Sequence, residues 1–146
     1  MRRHLTALLL SLAAPLVWAQ ATPVGLWKTI DDETKTEKSY VRIVEQDGKL
    51  VGRIERLINP AKPDPVCDAC TDARKGQPIV GMAILEGVSK SATEESVWDG
   101  GSILDPNNGK TYKVRLSPKN GGKALDVRGY IGMPLLGRTQ TWQRAE

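Results

Sequence analysis

Two cysteines stand three apart in Cys67-Asp-Ala-Cys70, within a run that also carries Pro60, Pro63, Pro65 and Pro78. Such a pair can do three kinds of chemistry. Oxidised, it staples a loop. In exchange, it shuttles electrons. Reduced, it offers two thiolates to a metal. A redox Cys-x-x-Cys opens a helix after a strand, whereas this one follows Pro63-Asp-Pro65 and precedes no helical pattern. A closed zinc site needs four ligands, and only Asp64, Asp68 and Asp72 stand nearby. A Cys67–Cys70 disulfide is therefore the first expectation. Redox activity and metal binding stay open beside it, and neither a metal nor a cofactor is assigned.

The single histidine is His4. It lies in a segment with the marks of a secretory signal peptide: Met-Arg-Arg, an apolar run from Leu5 to Trp18, then small residues. Cleavage is expected after Ala19 or Ala21, which leaves residues 20–146 as one domain without histidine. That removes histidine-based triads and the commonest general base. Among the carboxylates, Asp31-Asp32-Glu33 and Glu94-Glu95 fall in polar connections, and Asp99 and Asp105 flank one strand. No two of them form a recognisable acid pair of the kind a glycosidase needs. No catalytic residue is assigned, and the chain is not expected to be an enzyme.

The aromatic residues offer binding rather than catalysis. There is no Phe, so Tyr40, Trp98, Tyr112, Tyr130 and Trp142 carry most of the ring surface. They can pack a core or line a site for a small hydrophobic ligand. Trp27 stands apart, in Gly25-Leu26-Trp27.

The elements that must position these residues read as short strands. Ser39–Glu45 alternates, Gln46-Asp-Gly-Lys49 is a hairpin turn, and Leu50–Leu57 resumes the alternation. Residues 59–77 break the pattern with prolines and the cysteines, a loop long enough to be functional or stapled. Pro78–Glu86 is apolar and expected as a strand, and Val88–Ser96 as an exposed connection. Val97–Leu104 follows, bent at Gly100 and Gly101. Thr111–Ser117, Ala124–Ile131 and Leu136–Arg144 complete the set, the last two joined at Gly132-Met-Pro134. With Val24–Ile30 this makes about eight strands, the size at which a barrel is filled by side chains or holds one small ligand. The fold class expected is all-β: a single antiparallel up-and-down barrel with a long Cys/Pro-rich loop after the third strand. The last strand is expected to pair with the first, because closure removes both edges.

The net charge is +4, or about +2 without Arg2 and Arg3, and the remaining charges of both signs are interleaved. No clustered basic face indicates nucleic acid. No second apolar stretch is long enough to cross a membrane, so no stable anchor is expected after cleavage.

Gly25-x-Trp27 with a late arginine resembles the signature of lipocalin and calycin barrels. That resemblance implies that Arg144, with Arg138 as the alternative, lies over the Trp27 ring and closes one barrel end. The run Gly100-Gly-Ser-Ile-Leu-Asp-Pro-Asn-Asn-Gly-Lys-Thr-Tyr112, with Val127-Arg-Gly-Tyr-Ile-Gly132 and Gly137-Arg-Thr-Gln-Thr-Trp-Gln-Arg144, resembles an exported bacterial family known as domain of unknown function 2147. This implies a signal-bearing bacterial protein with a small calycin-like barrel, periplasmic or secreted, and brings no catalytic residues. The expected function is non-enzymatic binding of a small hydrophobic or amphipathic ligand in the barrel mouth. The alternative is an envelope interaction module with a filled barrel, partnered by another envelope protein.

Overall fold

The Asp47-Gly48 turn sets the register of the hairpin it joins. Both residues take positive φ (52° and 78°), as the twist of a tight hairpin demands. The flanking strands β2 (Glu37–Gln46) and β3 (Lys49–Leu57) then pair from Gln46↔Lys49 onward. Alternation sends Ser39, Val41, Ile43, Leu50, Gly52 and Ile54 inward, and all are buried. Arg42, Arg53 and Glu55 face out.

A computed structural model describes Ala13 and residues 21–146. The signal-peptide reading of residues 1–19 and its cleavage site lie outside the described residues, Ala13 aside. The other strands are β1 (Gly25–Ile30), β4 (Ala83–Lys90), β5 (Trp98–Asp105), β6 (Lys110–Lys119), β7 (Ala124–Tyr130) and β8 (Arg138–Arg144). They form a closed barrel in strand order, every neighbouring pair antiparallel. The first and last strands close it through Trp27↔Arg144 and Lys28↔Gln143, and Ala145 N–H donates to Leu26 O at 2.8 Å.

Three boundaries differ from the sequence reading. The apolar run at Pro78 is not yet strand: β4 starts at Ala83 and continues to Lys90, through residues expected as a connection. Val88 is the reason, since it packs fully buried in the core. Pro118 lies inside β6, opposite Leu125, and the turn is a short 3-10 helix at Asn120–Gly122. The β7–β8 turn is longer than Gly132-Met-Pro134 and carries a 3-10 helix at Pro134–Leu136, so β8 begins at Arg138.

The interior is filled. Trp27, Val41, Ile43, Leu85, Val88, Val114, Leu116 and Leu125 are all 0% exposed. A water-sized sphere reaches none of them, from outside or from any internal void. Side chains so fully removed from solvent occupy the middle of the barrel as a core.

Candidate functional site

The end of the barrel next to the chain terminus is sealed. The Trp27 ring is fully buried and its Nε1–H donates to Pro23 O at 2.7 Å. The Arg144 guanidinium lies 4.2 Å above the ring centroid, a cation–π contact. It also donates from Nη1 to Val24 O (2.9 Å), from Nη2 to Thr22 O (2.7 Å) and from Nε to Gly122 O. Burial pulls the Arg144 pKa below its ordinary value, and the carbonyl cage supplies the acceptors that keep the cation in place. Gly25 explains the spacing of the motif. A Cβ there would stand 2.4 Å from Arg144 Nη1 and 2.8 Å from Glu146 O. The geometry closes a barrel end and offers no reacting group.

The opposite end, the mouth, is polar. Thr29 and Ser39 share a buried hydroxyl–hydroxyl hydrogen bond of 2.7 Å. A relay then runs to the rim. Trp142 Nε1–H donates to Gln140 Oε1 (3.0 Å), and Gln140 Nε2 donates to Asp32 Oδ1 (3.4 Å). Arg138 Nη2 donates to Asp32 Oδ2 (2.8 Å). Asp32, read from the sequence as solvated, instead ties the β1–β2 loop across the mouth to β8. Nothing in its local sequence signals this, because the partner lies 106 residues away.

The Cys/Pro loop between β3 and β4 holds a Cys67–Cys70 disulfide, with both sulfurs buried at 0% and 1% exposure. Neither thiolate is left for a metal, and thiol exchange, which needs access, is hindered. The loop packs on the outside of the β4–β5 wall. Ile84 and Leu104 face away from the interior by alternation, yet they are buried in the same cluster as the two cysteines. Arg74 Nη1 donates to Ala83 O at 3.0 Å, and an added Cβ at Gly109 would meet Ala69 O at 1.8 Å. Replacing both cysteines by alanine should cost about 2 kcal/mol from the small closed ring alone. Urea unfolding with and without a reductant checks this, and an unchanged midpoint would contradict it.

Beside the cysteines, Arg74 binds Asp72 through Nη2 at 2.6 Å, and these hydrogen bonds hold the Asp72 carboxyl down to about 2. A depressed carboxylate contributes stability above its unfolded pKa and loses it as pH falls through the folded value. The carboxyl resonance of Asp72 should therefore titrate near pH 2. A midpoint at the ordinary value would mean that the pair does not persist in solution.

The β7–β8 loop is the most unusual surface. Ile131, Met133, Leu135 and Leu136 are exposed by 64%, 62%, 82% and 74%. They do not dangle. Arg128, on the outer face of β7, donates from Nε to Pro134 O (2.7 Å), from Nη2 to Leu135 O (3.2 Å) and from Nη1 to Thr139 Oγ1 (2.9 Å). Leu136 N–H and Gly137 N–H close the 3-10 turn onto Met133 O and Pro134 O. The result is a preorganised apolar tip.

Residues 25–144 match the family described as "Uncharacterized protein conserved in bacteria (DUF2147)". The chain belongs to this family. No curated protein matches it. Among solved structures, it is similar to protein HP1028 from Helicobacter pylori, described as belonging to the lipocalin family. The two share a TM-score of 0.73 and 21% identity over 86% of this chain and 84% of that one. That likeness shows the fold, a lipocalin-like eight-stranded barrel.

In this DUF2147 barrel the five rings expected to line a ligand site do not converge. Tyr40 faces outward under Arg56, whose Cζ lies 4.4 Å from the ring centroid. Trp98 sits near the other end beneath Lys90 at 5.8 Å. Tyr130 is on the outer face at the base of the tip, packed on Gly137. Trp142 is buried in the core. Only Tyr112 reaches the mouth, against Gly129 and with its hydroxyl accepting from Asn108 Nδ2 at 2.9 Å. Period-2 alternation in an exposed sheet places half of any ring set outside, which is why these rings lie apart. Two concavities, about 330 Å³ and about 220 Å³, lie on the outer wall. The first is lined by Arg42, Val44, Arg53 and Val80, the second by Arg115, Ser117, Asp126, Arg128 and Thr139.

Proposed function

We propose that this protein is an exported, non-enzymatic binding module of the bacterial cell envelope, with a packed barrel as scaffold and the rim around the β7–β8 loop as its contact surface. The observation that carries this is the rigidly held tip with four large apolar side chains in solvent. Exposed apolar clusters mark interaction sites, and a tip held by two hydrogen bonds from one arginine is built for contact. Export is supported by the apolar run from Leu5 to Trp18 after two arginines, and by a disulfide, which persists in an oxidising compartment. The lipocalin-family neighbour supports binding as the class of activity. If a small hydrophobic or amphipathic ligand is the cargo, the polar mouth near Tyr112, Thr29 and Ser39 is where this chain would meet it, since the interior is occupied.

A photo-crosslinking residue at Leu135, expressed in a bacterial host, is the test. It should capture envelope components well above the same residue placed at Lys49, at the opposite end of the barrel. Equal capture at the two positions would overturn the rim reading.

A further inference from the structure

The residues behind the tip change character in a set order. Tyr130 immediately precedes Ile131, faces outward, and is paired across β6–β7 with Lys113. One step further from the tip on the same outer face, Arg128 stands opposite Arg115. The sequence away from the tip is therefore apolar, then aromatic, then basic. Arg115 is neutralised by Glu94 and Arg138 by Asp32 and Glu33. Lys113 and Arg128 have no carboxylate within salt-bridge distance among the described residues.

This order is the one a bilayer surface presents in reverse. Hydrocarbon takes large aliphatic groups, the headgroup level takes Tyr, and anionic lipid attracts Lys and Arg. We infer that the β7–β8 tip docks on an anionic membrane surface, with Ile131, Met133, Leu135 and Leu136 inserted shallowly and Lys113 and Arg128 over the headgroups. The inference rests on the rim reading and names its partner. The barrel itself stays outside the bilayer, because the outward positions of β2 and β3 include Arg42, Arg53 and Glu55, charges that are costly on a wall facing hydrocarbon.

Flotation of the purified protein with vesicles of phosphatidylcholine, alone or mixed with phosphatidylglycerol, tests it. Binding is expected to the mixed vesicles, weakening as salt rises. Ile131, Met133, Leu135 and Leu136 replaced together by serine should lower it by at least about tenfold. The thermal midpoint should hold, since these side chains are exposed. Lys113→Ala should lower it about fivefold. Equal binding to neutral vesicles, no binding to either, or binding unaffected by the serine variant would each overturn the inference. If vesicles fail to bind while Leu135 still crosslinks to an envelope protein in cells, the lipid partner is wrong and the rim reading survives.

Discussion

Trp27→Ala should destabilise the barrel by about 3–5 kcal/mol, the range for truncating a large buried aromatic. Three losses combine. The ring is 0% exposed, so a void replaces it. Its hydrogen bond to Pro23 O disappears, which leaves a carbonyl without a partner. Arg144 loses the ring it covers and keeps its charge half-buried. Against a typical total of about 5–15 kcal/mol, this is enough to unfold a marginal domain. Urea denaturation followed by far-UV circular dichroism measures it. A cost under about 1 kcal/mol would mean that the ring does not plug the barrel end.

Gly101→Ala should be nearly as severe, at about 3 kcal/mol, the upper part of the usual overpacking range. A Cβ at Gly101 would lie 2.1 Å from Glu86 O, 2.7 Å from Gly87 C and 2.7 Å from Val88 Cγ2. Two of these atoms are backbone, so no side-chain rotation can relieve the clash. The β4 and β5 strands would have to part between the Glu86↔Ser102 and Ser89↔Asp99 pairs. Gly100 makes the control. Its φ is +82°, with nothing within 4 Å of an added Cβ, so Gly100→Ala should cost only the conformational strain of about 1–2 kcal/mol. Equal effects of the two substitutions would show that conformation rather than wall spacing decides. The sequence treats these neighbouring glycines alike, and only the strand opposite separates them.

That contrast marks where the sequence stops being legible. The Asp47-Gly48 hairpin, the alternation of β2 and β3 and the closure of β1 on β8 were readable, because local turn chemistry and period-2 patterning fix them. Trp27 and Arg144 were paired through a family motif, and the structure shows what the motif is for: the glycine leaves room for the arginine. The Cys/Pro loop was recognisable as irregular and stapled, but its packing on Ile84 and Leu104 depends on a wall formed by distant residues. Asp32 looked like solvated surface because its partner is on β8. The apolar tip is not legible as a surface feature, since Ile131-Gly-Met-Pro-Leu-Leu136 reads as strand ends around a turn until the hydrogen bonds of Arg128 hold it in solvent. A hydrophobic run that has turn residues and no strand partner was the available signal.

The central claim is that the barrel is a solid scaffold and that contact is made at its rim. The most direct test is a crystal structure of the protein purified from a bacterial envelope without added ligand. The account predicts continuous side-chain packing through Trp27, Val41, Val114, Leu116, Leu125 and Trp142, with no foreign density between them. A bound small molecule among those residues, with the side chains moved aside to admit it, would contradict the account.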